Sequence, residues 1–312
     1  LEVRIIPVPT LVHFQVGISS LSEKIVMQTT KPIDLATADL ANSPVLGAGL
    51  WGRVLDLGDD TVVKLAKRES AGIGDGLLKF QMECQVLQKL QGRSPCGALL
   101  FPQVVGSGER VNTDYPLWLH MTKVPGRARK VAEIRALSES VLSSIGDAIG
   151  RAASAMHKAL ARGTGGVRLP VPEETFATVQ EGVQGDMRAL EYLRELRQAF
   201  TALHLKEFSP IHGDFNISNL LFEGEEVVAV IDFAETRRGF FEEDLASIIT
   251  ELPCLKASVI SAFEAASGHR IDAARLEFSL AMQAFFTYVI CGRLQEYEAS
   301  IAARKSLDTY LG

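Results

Sequence analysis

The alternation of apolar and polar positions changes character once along the chain. From about 45 to 66, "PVLGAGLWGRVLDLGDDTVVKLAK" alternates with a period of two, is rich in β-branched residues, and turns at Gly58-Asp59-Asp60. It predicts two antiparallel strands with the glycines in the first connection. Residues 77–91, "LLKFQMECQVLQKLQ", switch to a helical period that places Leu78, Met82, Val86 and Leu90 on one face. Further strands are expected near 101–108 and 117–123, and Pro125-Gly126 then breaks the pattern as a hinge. Beyond it, 138–161 reads as a long amphipathic helix with Ser138 as N-cap and Gly163 as stop. Residues 175–207 read as helical. "NLLF" and "VVAVIDF" read as two short strands joined at "EGEE", and the chain from 242 onward as mostly helical. A strand-rich first third ahead of a helix-rich remainder predicts an α+β molecule of two lobes with a cleft between them. The expected divisions are an N-terminal extension over 1–39, a small lobe over 40–124 and a larger lobe over 125–312.

Composition narrows the class. With 312 residues, 47% hydrophobic and 22% charged, the chain has enough apolar material for globular cores. A net charge of −6 disfavours nucleic acid or an anionic membrane as partner. The longest apolar run, around "AMQAFFTYVIC", falls short of the roughly 18 residues of a membrane helix. Glu2, Arg4, Pro7 and Pro9 interrupt any signal-peptide core, so a cytoplasmic protein is expected. Cys84, Cys96, Cys254 and Cys291 form no C-x-x-C pair and have no histidine at zinc spacing. They read as buried, reduced thiols.

The chemistry concentrates in "HGDFNISN" and in the "VIDFAE" that follows. His212, Asp214 and Asn219 give H-x-D-x-x-x-x-N. An aspartate there can orient an acceptor hydroxyl and take its proton. An amide oxygen five residues on can ligate Mg²⁺ beside the same phosphate. His212 reads as a brace for the turn. Asp232 ends an apolar strand, where a carboxylate is costly unless it meets a cation, and Mg²⁺ would satisfy it. Gly47, Gly49 and Gly52 form G-x-G-x-x-G followed by strand rather than helix, a turn whose backbone N–H groups can approach phosphate oxygens. Lys64 lies among apolar residues on that following strand, and Glu83 on the next helix is available to hold its ammonium.

In this order, the glycine turn, the strand lysine, the helix glutamate, "HGDFNISN", "IDFAE" and "DLA" resemble the aminoglycoside phosphotransferase and choline kinase family, small-molecule kinases of protein-kinase-like fold. The resemblance runs over about 40–312 and is most specific over 211–247. It implies a two-lobed kinase-like α+β fold with a β-rich nucleotide-binding lobe and a helical acceptor-binding lobe. It implies ATP, or GTP, with Mg²⁺ as cofactors. Gly47, Gly49 and Gly52 would cover the triphosphate, and Lys64, held by Glu83, would contact its α- and β-phosphates. Met121-Thr122-Lys123-Val124 would be the connector that meets the base, with Thr122 and Val124 as contacts. Asp214 would be catalytic, and Asn219 and Asp232 would bind the metal. Asp244 would support the site from behind, and His157 would be structural. Thr122 stands where many relatives carry an acidic residue, which leaves the choice of base open.

The implied activity is transfer of the γ-phosphate to a hydroxyl of a small molecule: an antibiotic, an amino alcohol, homoserine or a sugar. A protein kinase is disfavoured because Asp232 and Asp244 leave no room for a long activation segment, and "HGD" lacks an arginine. A non-catalytic nucleotide-binding pseudokinase is the remaining alternative, and an oxidoreductase fails on strand order. Glu242, Glu243 and Glu251 read as a solvated helix face, or else as a lure for a cationic acceptor. Nothing in the sequence sets the oligomeric state.

Overall fold

Three strands, not two, emerge from the alternating stretch: β1 (Val45–Ala48), β2 (Gly52–Asp56) and β3 (Thr61–Ala66). The glycine run is itself a hairpin, closed by Gly49 N–H donating to the Gly52 carbonyl at 2.9 Å. The second turn follows at Gly58, whose left-handed backbone (φ +85°) is fixed by its N–H on Asp56 Oδ1 at 3.0 Å. This computed structural model describes residues 35–311 except 37, 39, 41, 50, 68–73, 92–98, 112 and 204–206. The expected extension over 1–39 therefore lies outside the described residues apart from Leu35, Ala36 and Ala38, and Cys96 lies outside them as well.

After β3 come α1 (Gly76–Leu90), β4 (Val104–Glu109) and β5 (Leu117–Thr122). The five strands form one antiparallel sheet in the order β1-β2-β3-β5-β4. Asp75 caps α1, accepting from the N–H groups of Leu77 and Leu78 at 2.8 and 3.3 Å. The buried face of α1 differs from the expected one. Phe80, Glu83, Val86, Leu87 and Leu90 turn inward, while Leu78 is 62% exposed. Val86 and Leu90 belong to both faces, and Glu83 is buried where the apolar pattern gave Met82. Leu35, Leu40, Leu55, Val63 and Leu65 fill the other face of the sheet.

The second lobe opens with β6 (Arg127–Ala128), α2 (Val131–Arg135) and α3 (Glu139–Gly163). The long helix stops at Gly163 as expected, and Ser138 occupies the N-cap position without a side-chain capping bond. The stretch read as one helix over 175–207 is two, α4 (Pro172–Gly182) and α5 (Met187–Ala202). Gly185 takes φ +95°, and Asp186 caps the second helix by accepting from Ala189 N–H at 2.9 Å. Then follow β7 (Ser209–Ile211), β8 (Leu220–Glu223), β9 (Glu226–Val230), β10 (Arg237–Gly239), α6 (Phe241–Glu251), α7 (Lys256–Ser267), α8 (Ala273–Arg293) and α9 (Tyr297–Leu311).

One core runs from the inner face of the sheet and α1 through α3, the β8–β9 hairpin and α6 to α7. A second core joins α4, α5, α8 and α9, with Phe176, Tyr192, Phe240 and Phe285 buried in it. No helix among the described residues is long and apolar enough to cross a membrane. The cysteines correct the sequence reading: Cys254 is exposed, Cys84 and Cys291 are half-buried, and all three are free thiols.

Candidate active site

The β8–β9 hairpin assembles the chemistry. Asn219 immediately precedes β8, Asp232 follows β9, and Ile231 N–H donates to the Asn219 carbonyl at 3.0 Å. Two residues thirteen positions apart in sequence thus stand side by side at one end of a hairpin. Asp232 holds a left-handed backbone (φ +65°, ψ +71°), a conformation that costs a non-glycine residue about 1–3 kcal/mol. Such strain persists where the surroundings fix the residue.

What fixes Asp232 is Lys64. The Lys64 ammonium donates to Glu83 Oε2 and to Asp232 Oδ1, each at 2.7 Å. Lys64 and Glu83 are fully buried, while the Asp232 side chain keeps about a third of its surface (35%) open. Burial alone would strip the ammonium of its proton, but Asp232 and Glu83 outweigh it and hold Lys64 well above the ordinary lysine range. Burial likewise opposes the Asp232 charge, and Lys64 overrides it, so Asp232 stays below the usual carboxylate range. Glu83 is pushed upward by burial against the pull of Lys64.

Asp214 sits in a loop held on every side. Its Oδ1 accepts from Asn216 Nδ2 at 2.8 Å and its Oδ2 from Asn219 Nδ2 at 2.9 Å. Asn219 Nδ2 also reaches the Asp214 carbonyl at 2.8 Å, which leaves the Asn219 amide oxygen free to face a cation. Dense surroundings, then the charges of Asp232 and Glu235, push the Asp214 carboxyl up to about 7. Behind the loop, Asp244 accepts from His212 N–H at 2.9 Å, from Gly213 N–H at 2.8 Å and from His157 Nε2 at 2.7 Å. From the opposite side, Arg237 donates to the Gly213 carbonyl at 3.0 Å and pairs with Glu243 at 2.8 Å. The Gly213 peptides are therefore gripped by a buried carboxylate and a buried guanidinium. Gly213 itself is left-handed (φ +82°), and a Cβ there would lie 2.1 Å from the Arg237 guanidinium. His212 is fully buried, donates from Nε2 to the Ile231 carbonyl at 3.1 Å, and accepts from Asp214 N–H at Nδ1. It braces the turn, as its sequence position suggested.

The three glycines of the first hairpin separate into two kinds. A Cβ on Gly47 or Gly49 would meet no protein atom within 4 Å, whereas one on Gly52 would lie 2.0 Å from the Leu65 carbonyl oxygen. Packing on β3 demands Gly52. Among the described residues nothing fills the space beside the other two. At the end of β5, Thr122 is tied to Gln103: its N–H donates to the Gln103 carbonyl and its Oγ1 accepts from Gln103 N–H, both at 2.9 Å. Val124, two residues on, makes no hydrogen bond through its N–H among the described residues.

The acidic trio on α6 needs correcting. Glu242 is buried and accepts from Asp272 N–H at 3.0 Å, Glu243 pairs with Arg237, and Glu251 accepts from Ile217 N–H at 2.9 Å. All three serve internal contacts, so they do not form a solvated face.

A match to the family model described as "Phosphotransferase enzyme family" covers residues 53–278, well over half of the chain. The chain belongs to the phosphotransferase enzyme family. The match spans every one of these polar contacts except those of the glycine turn. The fold of this phosphotransferase is kinase-like, with a small antiparallel lobe and a helical lobe. The GDP complex of wild-type aminoglycoside 2'-phosphotransferase-IIIa superposes with a TM-score of 0.63 at 16% identity, over 89% of this chain and 94% of that one. The aminoglycoside phosphotransferase APH(4)-Ia superposes with a TM-score of 0.61 at 14% identity, over 87% and 93%. One structure of a thermostable mutant of that second enzyme holds AMP-PNP and hygromycin B. At such identities the likeness shows the fold alone. Among curated proteins no sequence match was found.

Sequence reasoning passed over four residues at the site of this phosphotransferase: Trp51, Lys79, Glu235 and Arg237. Lys79 carried the clearest signal, since it stands one helical turn before Glu83. Arg237, in "TRRGF", carried none.

Proposed function

We propose that the chain transfers the γ-phosphate of ATP or GTP to a hydroxyl group of a small molecule, with Mg²⁺. The observation that carries this reading is the convergence of two buried constellations: Lys64 between Glu83 and Asp232, and Asp214 against Asn219, with Asp232 raising Asp214 through its charge. Phosphoryl transfer asks for positioning and for cations against developing charge rather than for a protein nucleophile.

Each group has a task its surroundings suit. Lys64, kept charged and aimed by Glu83, holds the α- and β-phosphates. Gly47 and Gly49 let the backbone of the first hairpin lie over the triphosphate, while Gly52 seats that hairpin on β3. The free N–H of Val124 and the Thr122 carbonyl meet the edge of the base. Asp214, fixed by two amide donors, orients the acceptor hydroxyl and takes its proton at a carboxylate oxygen. Asn219 and Asp232 offer one amide oxygen and one carboxylate, a donor set that suits Mg²⁺, which prefers few protein ligands plus phosphate and water. When bound, that ion neutralises charge on the β- and γ-oxygens.

The acceptor class proposed is an antibiotic, amino alcohol, homoserine or sugar. Among solved structures of similar fold, one APH(2") complex holds kanamycin. The deciding experiment incubates the protein with Mg-ATP or Mg-GTP and a mixed library of hydroxyl compounds and reads the mass gain of one phosphate. An Asp214→Asn variant runs beside it. A product formed equally by both proteins, or by neither across the library, refutes the assignment.

A further inference from the structure

Three residues given no contact with nucleotide or acceptor above meet at the glycine-rich turn. Lys79 stands one turn before Glu83 on α1, so both side chains leave the same face of the helix. Its ammonium lies 4.2 Å from the centre of the Trp51 ring and pairs with the Glu235 carboxylate. Trp51 is at the tip of the glycine-rich turn. Its carbonyl accepts from Lys67 N–H at 2.8 Å, and Lys67 Nζ donates to the Gly49 carbonyl at 3.1 Å. Glu235 ends the short 3-10 turn Phe233–Glu235 that begins at Asp232, and its charge reaches Asp214. One ammonium thus joins the tip of the turn, the helix that aims Lys64, and the segment carrying Asp232.

The contact is not needed to seat α1, because Phe80, Val86, Leu87 and Leu90 already bury that helix. Lys79 and Glu235 are half-buried, at 21% and 29% side-chain exposure. An ammonium over an indole gains strength as water is excluded from it.

We propose that Trp51, Lys79 and Glu235 form a latch that holds the glycine-rich turn closed over a bound nucleoside triphosphate, a role that presupposes the nucleotide site proposed above. Nucleotide exchange requires the turn to lift, which breaks the Trp51–Lys79 contact. Glu235 meanwhile keeps Lys79 aimed, so the turn recloses onto a cation already in place. The three are positioning residues: they set how long the nucleotide stays.

The chain has 2 tryptophans, Trp51 and Trp118, so Trp51 is the sole indole in a Trp118→Phe parent. Without nucleotide, Lys79→Met and Glu235→Gln should each raise acrylamide quenching of Trp51 about twofold, while Lys79→Arg stays near the parent because a guanidinium keeps both contacts. With Mg-ADP in stopped flow, Lys79→Met and Glu235→Gln should speed dissociation about fivefold to tenfold. The double variant should add little to either single one. Melting temperatures within about 3 °C of the parent exclude a folding defect as the cause. Parent binding with unchanged dissociation from both variants overturns the latch alone, and so does unchanged Trp51 quenching. A parent that binds no Mg-nucleotide overturns the function proposed above and the latch with it.

Discussion

At the residue scale, Asp214 and the first-hairpin glycines give the sharpest tests. Asp214 is held by two amide donors and faces the charges of Asp232 and Glu235. Replacing it with Asn keeps the shape and removes the base. Turnover on whichever acceptor the screen returns should fall by about 10² to 10⁴. Nucleotide affinity by calorimetry should change by less than about threefold, since Asp214 is assigned no contact with the nucleotide. A variant that loses binding and turnover together would place Asp214 among the nucleotide ligands instead. The glycines separate by a different measurement. Gly52→Ala drives a Cβ into the Leu65 carbonyl at 2.0 Å and should cost about 1–3 kcal/mol or more in urea unfolding. Gly47→Ala and Gly49→Ala meet no protein atom, so they should unfold like the parent and lose nucleotide affinity. The G-x-G-x-x-G spacing made these three equivalent on paper; only the neighbouring strand shows that one of them serves the fold.

At the element scale, α6 works as a beam for the catalytic loop. Asp244 collects the N–H groups of His212 and Gly213 together with His157 Nε2, and Asp244, His212 and His157 are all buried. Burial pushes the Asp244 carboxyl up, but the hydrogen bonds from His157 and from the His212 backbone outweigh burial and hold it below the ordinary carboxylate value. A depressed folded pKa means that the stabilisation is present above the unfolded value and is lost as pH falls through the folded one. Asp244→Asn should therefore cost about 3–5 kcal/mol near neutral pH. The gap to the parent should narrow as pH drops below the ordinary carboxylate value of about 3.9. A gap that is the same at pH 3 and pH 7 would assign the effect to shape alone. Much of this scale was legible in the sequence. The alternating stretch, the long helix to Gly163 and the β8–β9 hairpin all follow from local pattern. Two of the failures share a cause: a polar group was buried where pattern assigns it to water. Glu83 lies buried on the inner face of α1, and Glu242, Glu243 and Glu251 turned inward to backbone N–H groups and Arg237. The partners of Glu242 and Glu251 arrive from 30 and 34 residues away and leave no trace in a window of ten.

Across the whole molecule, the two lobes meet through charges that a bound nucleotide would redistribute. Lys64 and Glu83 come from the small lobe, while Asp232 belongs to the segment after β9, and the Lys64–Asp232 contact at 2.7 Å joins the two. Removing Lys64 leaves two carboxylates without their shared cation, one of them fully buried, so Lys64→Met should destabilise the free protein by about 3–5 kcal/mol. Asp232 is different: about a third of its side chain (35%) remains accessible, and Glu83 still satisfies Lys64 when Asp232 is gone. Asp232→Asn should melt close to the parent in the absence of ligand, and its defect should appear only with metal. In the parent, Mg-ADP at about 100 times its Kd should add about 2.7 kcal/mol, which is about 5 °C or more for a chain of this size. ADP with a chelator should add less, because Asp232 then stays on Lys64 and competes with the phosphates for it. In Asp232→Asn the competition and the metal ligand vanish together. ADP alone should therefore stabilise the variant at least as well as it does the parent, and Mg²⁺ should add almost nothing further. A full Mg²⁺-dependent shift in Asp232→Asn would mean that the ion is held elsewhere, and the pairing of Asn219 with Asp232 as its ligands would have to be abandoned.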